Sequence, residues 1–120
     1  MPVTATVTES ISFRSIAQPR GVQVTPADVD RGYVVVPAAT RLEVANARCV
    51  LEFRITQPFV RAATVTTPFG ATRFGSREIA QQITRAGQRN AIDVSYRLEL
   101  TRDVTPGIYP WPVMLTVNPF

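Results

Sequence analysis

A side-chain nucleophile needs a base within reach, and this chain contains no histidine and a single cysteine, Cys49. Ser-His and Cys-His pairs are therefore excluded. So are His-bearing zinc sites, and a lone thiol rules out the all-cysteine ones. Cys49 opens an apolar stretch and reads as a small core hydrophobe with no internal disulfide partner. Four carboxylates, Glu52, Asp93, Glu99 and Asp103, lie on or near expected strands. Outward-facing acids with arginine neighbours are more often surface ion pairs than acid/base dyads. Asp28 and Asp30 have the spacing that opens a calcium loop, but Gly32 is misplaced and no Glu closes the loop. A turn with side-chain-to-backbone bonds is the better reading. The run Gly70-Ala71-Thr72-Arg73-Phe74-Gly75-Ser76-Arg77 has phosphate-loop spacing, with Ser-Arg where Lys-Ser/Thr is needed. The inventory predicts no catalytic residue, no cofactor and no metal, and hence no enzyme.

The cations are all arginine, thirteen of them, and the net charge is +4. They are scattered, with no run of three, and alternate with acids as solvated faces do. A nucleic-acid binder concentrates cations on one stripe and interleaves aromatics, so the pattern argues against nucleic acid. Binding of an anionic polymer through these arginines is a third-ranked reading, with affinity that falls steeply with salt.

The 45% apolar and 18% charged composition of 120 residues fits one folded domain with its own core. The longest uncharged apolar run, Tyr33–Ala39, contains Pro37 and is too short to span a bilayer. No basic segment followed by an apolar one opens the chain as a signal peptide does. The expected location is extracellular or periplasmic if a signal was removed, and otherwise virion or cytoplasm.

The elements that would position any site are strands. Ile92, Val94, Tyr96, Leu98 and Leu100 alternate along a strand at Ala91–Thr101. Tyr109, Trp111, Val113, Leu115 and Val117 alternate along a second at Ile108–Val117, joined to the first by a tight connection at Asp103–Gly107. Pro110 and Pro112 flank Trp111 and mark this end as a sheet edge. Trp111 is then either a core residue or an exposed aromatic at a partner surface. Further strands are expected at Val3–Phe13, interrupted by Glu9, and at Tyr33–Val36, Thr40–Ala45, Cys49–Gln57 and Phe59–Thr66. Val22–Val24 is a brief pairing segment, Asn46–Arg48 a reversal, and Pro68–Gly75 a turn-rich link. Ser76–Gly87 reads as one or two helical turns or as a strand, with the surrounding β pattern favouring strand or irregular edge.

Seven or eight short strands punctuated by proline and glycine predict an all-β, immunoglobulin-like β-sandwich of antiparallel strands. Residues 1–9 form an N-terminal arm or first edge strand, and residues 10–120 the sandwich. Cys49–Gln57 is expected beside Ala91–Thr101, with Glu52 across from Arg97.

The run from Tyr96 to Val117, with Pro106-Gly107-Ile108-Tyr109 leading into an alternating apolar strand, resembles the closing strands of secreted bacterial immunoglobulin-like domains. The resemblance is greatest to fimbrial subunits of the chaperone–usher and spore-coat-U type. Such subunits lack one strand of the sandwich, and a chaperone and then the N-terminal extension of the next subunit fills the groove. Gly107, fourteen residues from the C-terminus counting Phe120 as one, and the alternating arm Val3, Ala5, Val7 fit that pattern. Pro119 stands where many of these subunits carry Tyr, and one cysteine cannot make their usual disulfide.

The resemblance implies a non-enzymatic structural or adhesive module at a bacterial surface, assembling by β-strand addition. Its partners would be other protein subunits, copies of the same chain included, with no small-molecule substrate. The residues expected at the junction are Val3, Ala5 and Val7 of the arm, and Tyr109, Trp111, Val113, Leu115 and Val117 of the last strand. A virion or phage structural protein, such as a capsid decoration or tail component, is the alternative.

Overall fold

The computed structural model describes residues 12–45, 49–83 and 90–119. It is all-β apart from one short helix, with antiparallel sheets packed face to face in sandwich fashion. In chain order the elements are β1 (Ser12–Ala17), β2 (Gly21–Val24), α1 (Pro26–Arg31), β3 (Tyr33–Ala45), β4 (Cys49–Ile55) and β5 (Val60–Thr67). There follow β6 (Gly70–Gly75), β7 (Ile79–Ile83), β8 (Asn90–Leu100), β9 (Gly107–Pro110) and β10 (Val113–Pro119). The larger sheet has the order β1-β3-β8-β5-β6, the smaller β10-β4-β7, and β2 pairs with β9 in a short ribbon.

Period-2 alternation decides which side chains enter the core. Ile92, Val94, Tyr96, Leu98 and Leu100 of β8 are all buried, as are Leu51, Phe53 and Ile55 of β4. The sheets meet through aromatic rings: Phe53 and Tyr96 are edge to face at 6.4 Å, and Tyr96 and Trp111 at 4.9 Å. At the centre the Tyr96 phenol and the Thr40 hydroxyl share a 2.8 Å hydrogen bond, which removes the cost of burying two polar groups.

Several expectations are corrected. The two C-terminal strands do not form a hairpin: β8 pairs with β3 and β5, and β10 with β4. The expected strand Ile108–Val117 is two strands, because Trp111 and Pro112 carry the chain from one sheet to another. Trp111 N–H donates to the Arg20 carbonyl at 3.1 Å, and the Pro112 carbonyl accepts from Thr56 N–H at 2.8 Å. The expected pairing of Cys49–Gln57 with Ala91–Thr101 also fails. Glu52 stands opposite Thr116 and Gln81, while Arg97 stands opposite Val35 and Thr64. Surface charge complementarity worth a few tenths of a kcal/mol did not choose the partner; burial of two apolar faces against each other did.

Tyr33–Val36 and Thr40–Ala45 are one strand, β3, with Pro37 inside a bulge. The register jumps from Val36 opposite Tyr96 to Thr40 opposite Val94, so the bulge adds two residues and preserves the inward set Val34, Thr40, Leu42. Ala38 takes a left-handed φ of 47° there, and its N–H donates to Ser95 Oγ at 2.9 Å. Pro68–Gly75 is more than a link, since Gly70–Gly75 is strand β6, paired with β5. The segment Thr25–Gly32, expected as a turn, contains the six-residue helix α1. A capping box closes its start: Thr25 Oγ1 accepts from Asp28 N–H, and the Asp28 carboxylate accepts from Thr25 N–H. Gly32, at φ 84°, ends it in the left-handed conformation that glycine adopts without steric cost.

Part of Ser76–Gly87 is the strand β7, with Ala80 and Gln82 buried and Ile79 and Ile83 exposed. Phe59–Thr66 corresponds to β5, and Val22–Val24 to β2. The expected arm 1–9, Glu9 and the reversal at Asn46–Arg48 lie outside the described residues. Among the described residues no helix is long and apolar enough to cross a membrane.

Candidate functional site

Of the residues expected at a subunit junction, Val3, Ala5 and Val7 lie outside the described residues. Trp111, Val113, Leu115 and Val117 are each at most 2% exposed, so their side chains belong to the core and offer a partner nothing. Of the two readings of Trp111 the core one holds and the exposed partner aromatic is corrected: its ring packs on Tyr96. Tyr109 is half-buried, stacked on Phe59 at 4.5 Å, and its hydroxyl donates to the Thr105 carbonyl. What β10 does present is its backbone. Among the described residues it has a ladder partner, β4, on one side only.

Edges are ordinarily blunted by charge, bulges or cover. Three of the four edges of the two larger sheets fit that rule. β1 has a register irregularity between Ser15 and Ala17, and β6 carries Arg73. β7 is tied to β6 by Gln82, whose amide donates to the Gly70 carbonyl at 3.2 Å and to Thr72 Oγ1 at 3.3 Å. The Gln82 side-chain oxygen accepts from the buried Thr67 hydroxyl. β10, Val-Met-Leu-Thr-Val-Asn-Pro, carries no charge, and its register with β4 runs unbroken over seven residues. Asn118 Nδ2 donates to Glu52 Oε1 at 2.7 Å and fastens it further to β4.

The fold assembles a second feature from residues far apart in sequence. At the end of the five-stranded sheet beside α1, a cavity of about 620 Å3 is lined by Arg31, Arg61, Arg97 and Arg102, with Tyr33 and Glu99 among its walls. The α1 cap puts Arg31 there, since Gly32 turns the chain directly into Tyr33 of β3. Register does the rest: Tyr33 stands opposite Glu99 on β8, Glu99 opposite Ala62 on β5, and Arg97 opposite Thr64. The Arg97 guanidinium carbon lies 3.9 Å from the Tyr33 ring centroid and that of Arg31 lies 5.2 Å from it. Both are within cation–π range.

Glu99 is held by Arg73 through two bonds of 2.7 and 3.0 Å and by Arg61 at 3.3 Å. Hydrogen bonding from Arg73 keeps the Glu99 carboxyl below the ordinary carboxylate range against the opposing effect of burial, and the charges of Arg73, Arg61 and Arg97 add to it. Arg31 is paired with Asp28. The sequence does not announce this site, because Arg31, Arg61 and the Arg97/Arg102 pair are separated from one another by about thirty residues or more.

The carboxylates considered for acid/base work are not brought together. Glu52 lies on the smaller sheet, Asp93 faces Arg41 at 3.9 Å, and Glu99 is in its arginine cluster. Asp28 and Asp30 belong to a helix, and Gly70–Gly75 to a hairpin strand, so neither stretch forms the loop its spacing imitates. Among the described residues no group of three His, Cys, Asp or Glu side chains could hold a metal ion. Comparison with protein-family models, curated proteins and solved structures gives no match for this chain.

Proposed function

We propose that this protein is a structural or adhesive module of immunoglobulin-like arrangement at a bacterial surface, non-enzymatic, which assembles by β-strand addition along the edge of β10 that has no ladder partner among the described residues. The observation that carries the reading is the contrast among the sheet edges. β10 is seven residues long, uncharged and regular, while the other edges of the two larger sheets are charged, irregular or tied down and the strands of the β2–β9 ribbon are only four residues long. Strand addition uses backbone hydrogen bonds for affinity, and a rigid edge lowers the ordering cost of the added strand. Val113, Leu115 and Val117, locked in the core, supply that rigidity.

The incoming strand in this reading is the alternating segment Val3–Val7 of a neighbouring copy. Eleven residues precede Ser12, and an extended chain of that length reaches about 36 Å. Val3–Val7 extended spans about 17 Å against about 23 Å for the seven residues of β10, so the segment lines most of that strand.

Deleting residues 1–9 tests the proposal. The full chain is expected to associate in a concentration-dependent way in sedimentation equilibrium, and the truncated chain to sediment as a folded monomer. A full chain that stays monomeric at high concentration, or a truncated one that associates equally well, contradicts the proposal.

A further inference from the structure

The arginine-lined cavity stands apart from strand addition and does not depend on it. We propose that it is a binding site for a compact polyanion, a small molecule or chain end bearing at least two phosphate, sulfate or carboxylate groups. Charge is the first argument. Arg31, Arg61, Arg97 and Arg102 line the cavity and Arg73 holds the far side of Glu99, so five guanidinium groups stand against three carboxylates, Asp28, Glu99 and the Glu78 beside Arg73. About half of the excess positive charge of a +4 chain is thus gathered at one end of one sheet.

The second argument is that this charge is unspent. Arg73 takes Glu99 with two short bonds and leaves Arg61 a longer one. Among the described residues neither Arg97 nor Arg102 forms a salt bridge, and Arg97 acts on Glu99 only through its charge. Arg97 and Arg31 are gathered on the one ring of Tyr33, where like charges repel, and an anion placed between them removes that cost. Guanidinium stays charged at any physiological pH and presents a fork that matches two oxyanion oxygens, so several forks around one cavity select a multiply charged ligand over a single anion.

Shape limits the ligand. About 620 Å3 is the size of a small-molecule pocket, and Leu100 and Val29 give it partly apolar walls. A nucleic-acid strand wants a continuous cationic groove and bare aromatic faces for stacking. Here the cations line one half-open cavity, and Arg97 already lies against its one aromatic ring, Tyr33.

Isothermal titration of the full chain tests this, with inorganic tripolyphosphate, citrate and a disulfated disaccharide as probes for the three oxyanion types. At least one is expected to bind one per chain, more tightly as salt falls. Arg97→Gln and Arg102→Gln, on β8 and in the loop after it, are each expected to weaken that binding about tenfold or more. Arg54→Gln, on the other sheet, is expected to leave it unchanged. Circular dichroism checks that each variant is folded, and Arg102→Gln carries the test alone should Arg97→Gln unfold. No saturable binding of any probe overturns the proposal, as does equal weakening in Arg54→Gln. Tight binding of a single-stranded oligonucleotide that the preferred probe cannot displace also overturns it.

Discussion

The indole of Trp111 meets the ring of Tyr96 edge to face at 4.9 Å, with the planes at 82°, and this contact joins the end of the β2–β9 ribbon to the centre of the larger sheet. Trp111 is 2% exposed, and its Nε1–H finds no acceptor among the described residues. Trp111→Ala should cost about 3–5 kcal/mol, as large aromatic truncations in cores do. Trp111→Phe should cost distinctly less, because it keeps an aromatic ring and removes a buried unpaired donor. Urea unfolding of the two variants measures the difference.

The Tyr96–Thr40 hydrogen bond gives a second prediction. Thr40→Val strands a buried phenol and should cost about 1–3 kcal/mol, whereas Thr40→Val with Tyr96→Phe should lose less than the two single effects summed. Burial raises the Tyr96 phenol above its ordinary value of 10.0. The unfolded chain therefore releases this proton first, so the stability it contributes is complete below about pH 10 and declines as pH rises beyond it. Tyr96→Phe should flatten that alkaline decline in a stability–pH series.

At α1 the sign is opposite. The Thr25 backbone N–H bonded to the carboxylate, followed by the Thr25 side chain and the charge of Arg31, holds Asp28 below the ordinary carboxylate value although burial opposes it. The stabilisation is present above about pH 4 and is lost as pH falls through the lowered value. Asp28→Ala should cost about 1 kcal/mol at neutral pH, the usual worth of a cap, and the difference from the parent should shrink in acid. Thermal melts at a series of pH values check this.

Gln82 is buried at 6% exposure and bridges β7 to Thr67, Gly70 and Thr72. Gln82→Leu removes those bonds and leaves the Thr67 hydroxyl without its partner, at an expected cost of about 1–3 kcal/mol. Amide exchange should quicken most in β6 and β7. An equal change across the whole molecule would assign Gln82 no local role at this edge.

The alternation of β8 was legible from Ile92 to Leu100 because a period of two places those residues on one face whatever strand lies beside them. The partners were not legible, since β4 pairs with β10 through burial shared across dozens of residues. Trp111 shows the same limit: the flanking prolines announced an edge, and the change of sheet depends on Arg20 and Thr56. The helix α1 did carry a signal, Thr25-Pro26-x-Asp28, a capping box with proline in the first turn. For the candidate junction, the inward set of β10 was visible, but alternation does not say whether those side chains face a partner or the core. The arginine cavity had no local signature, because only the register of β3, β8 and β5 brings its members together.

The most direct test of strand addition is amide hydrogen exchange along Met114–Asn118, compared between dilute monomer and concentrated full chain. If a neighbour's strand adds to β10, the amides facing away from β4 exchange rapidly in the monomer and become protected on association. In the chain lacking residues 1–9 they remain unprotected at the same concentration. Association that leaves every β10 amide unchanged, with protection appearing on another edge, contradicts the account.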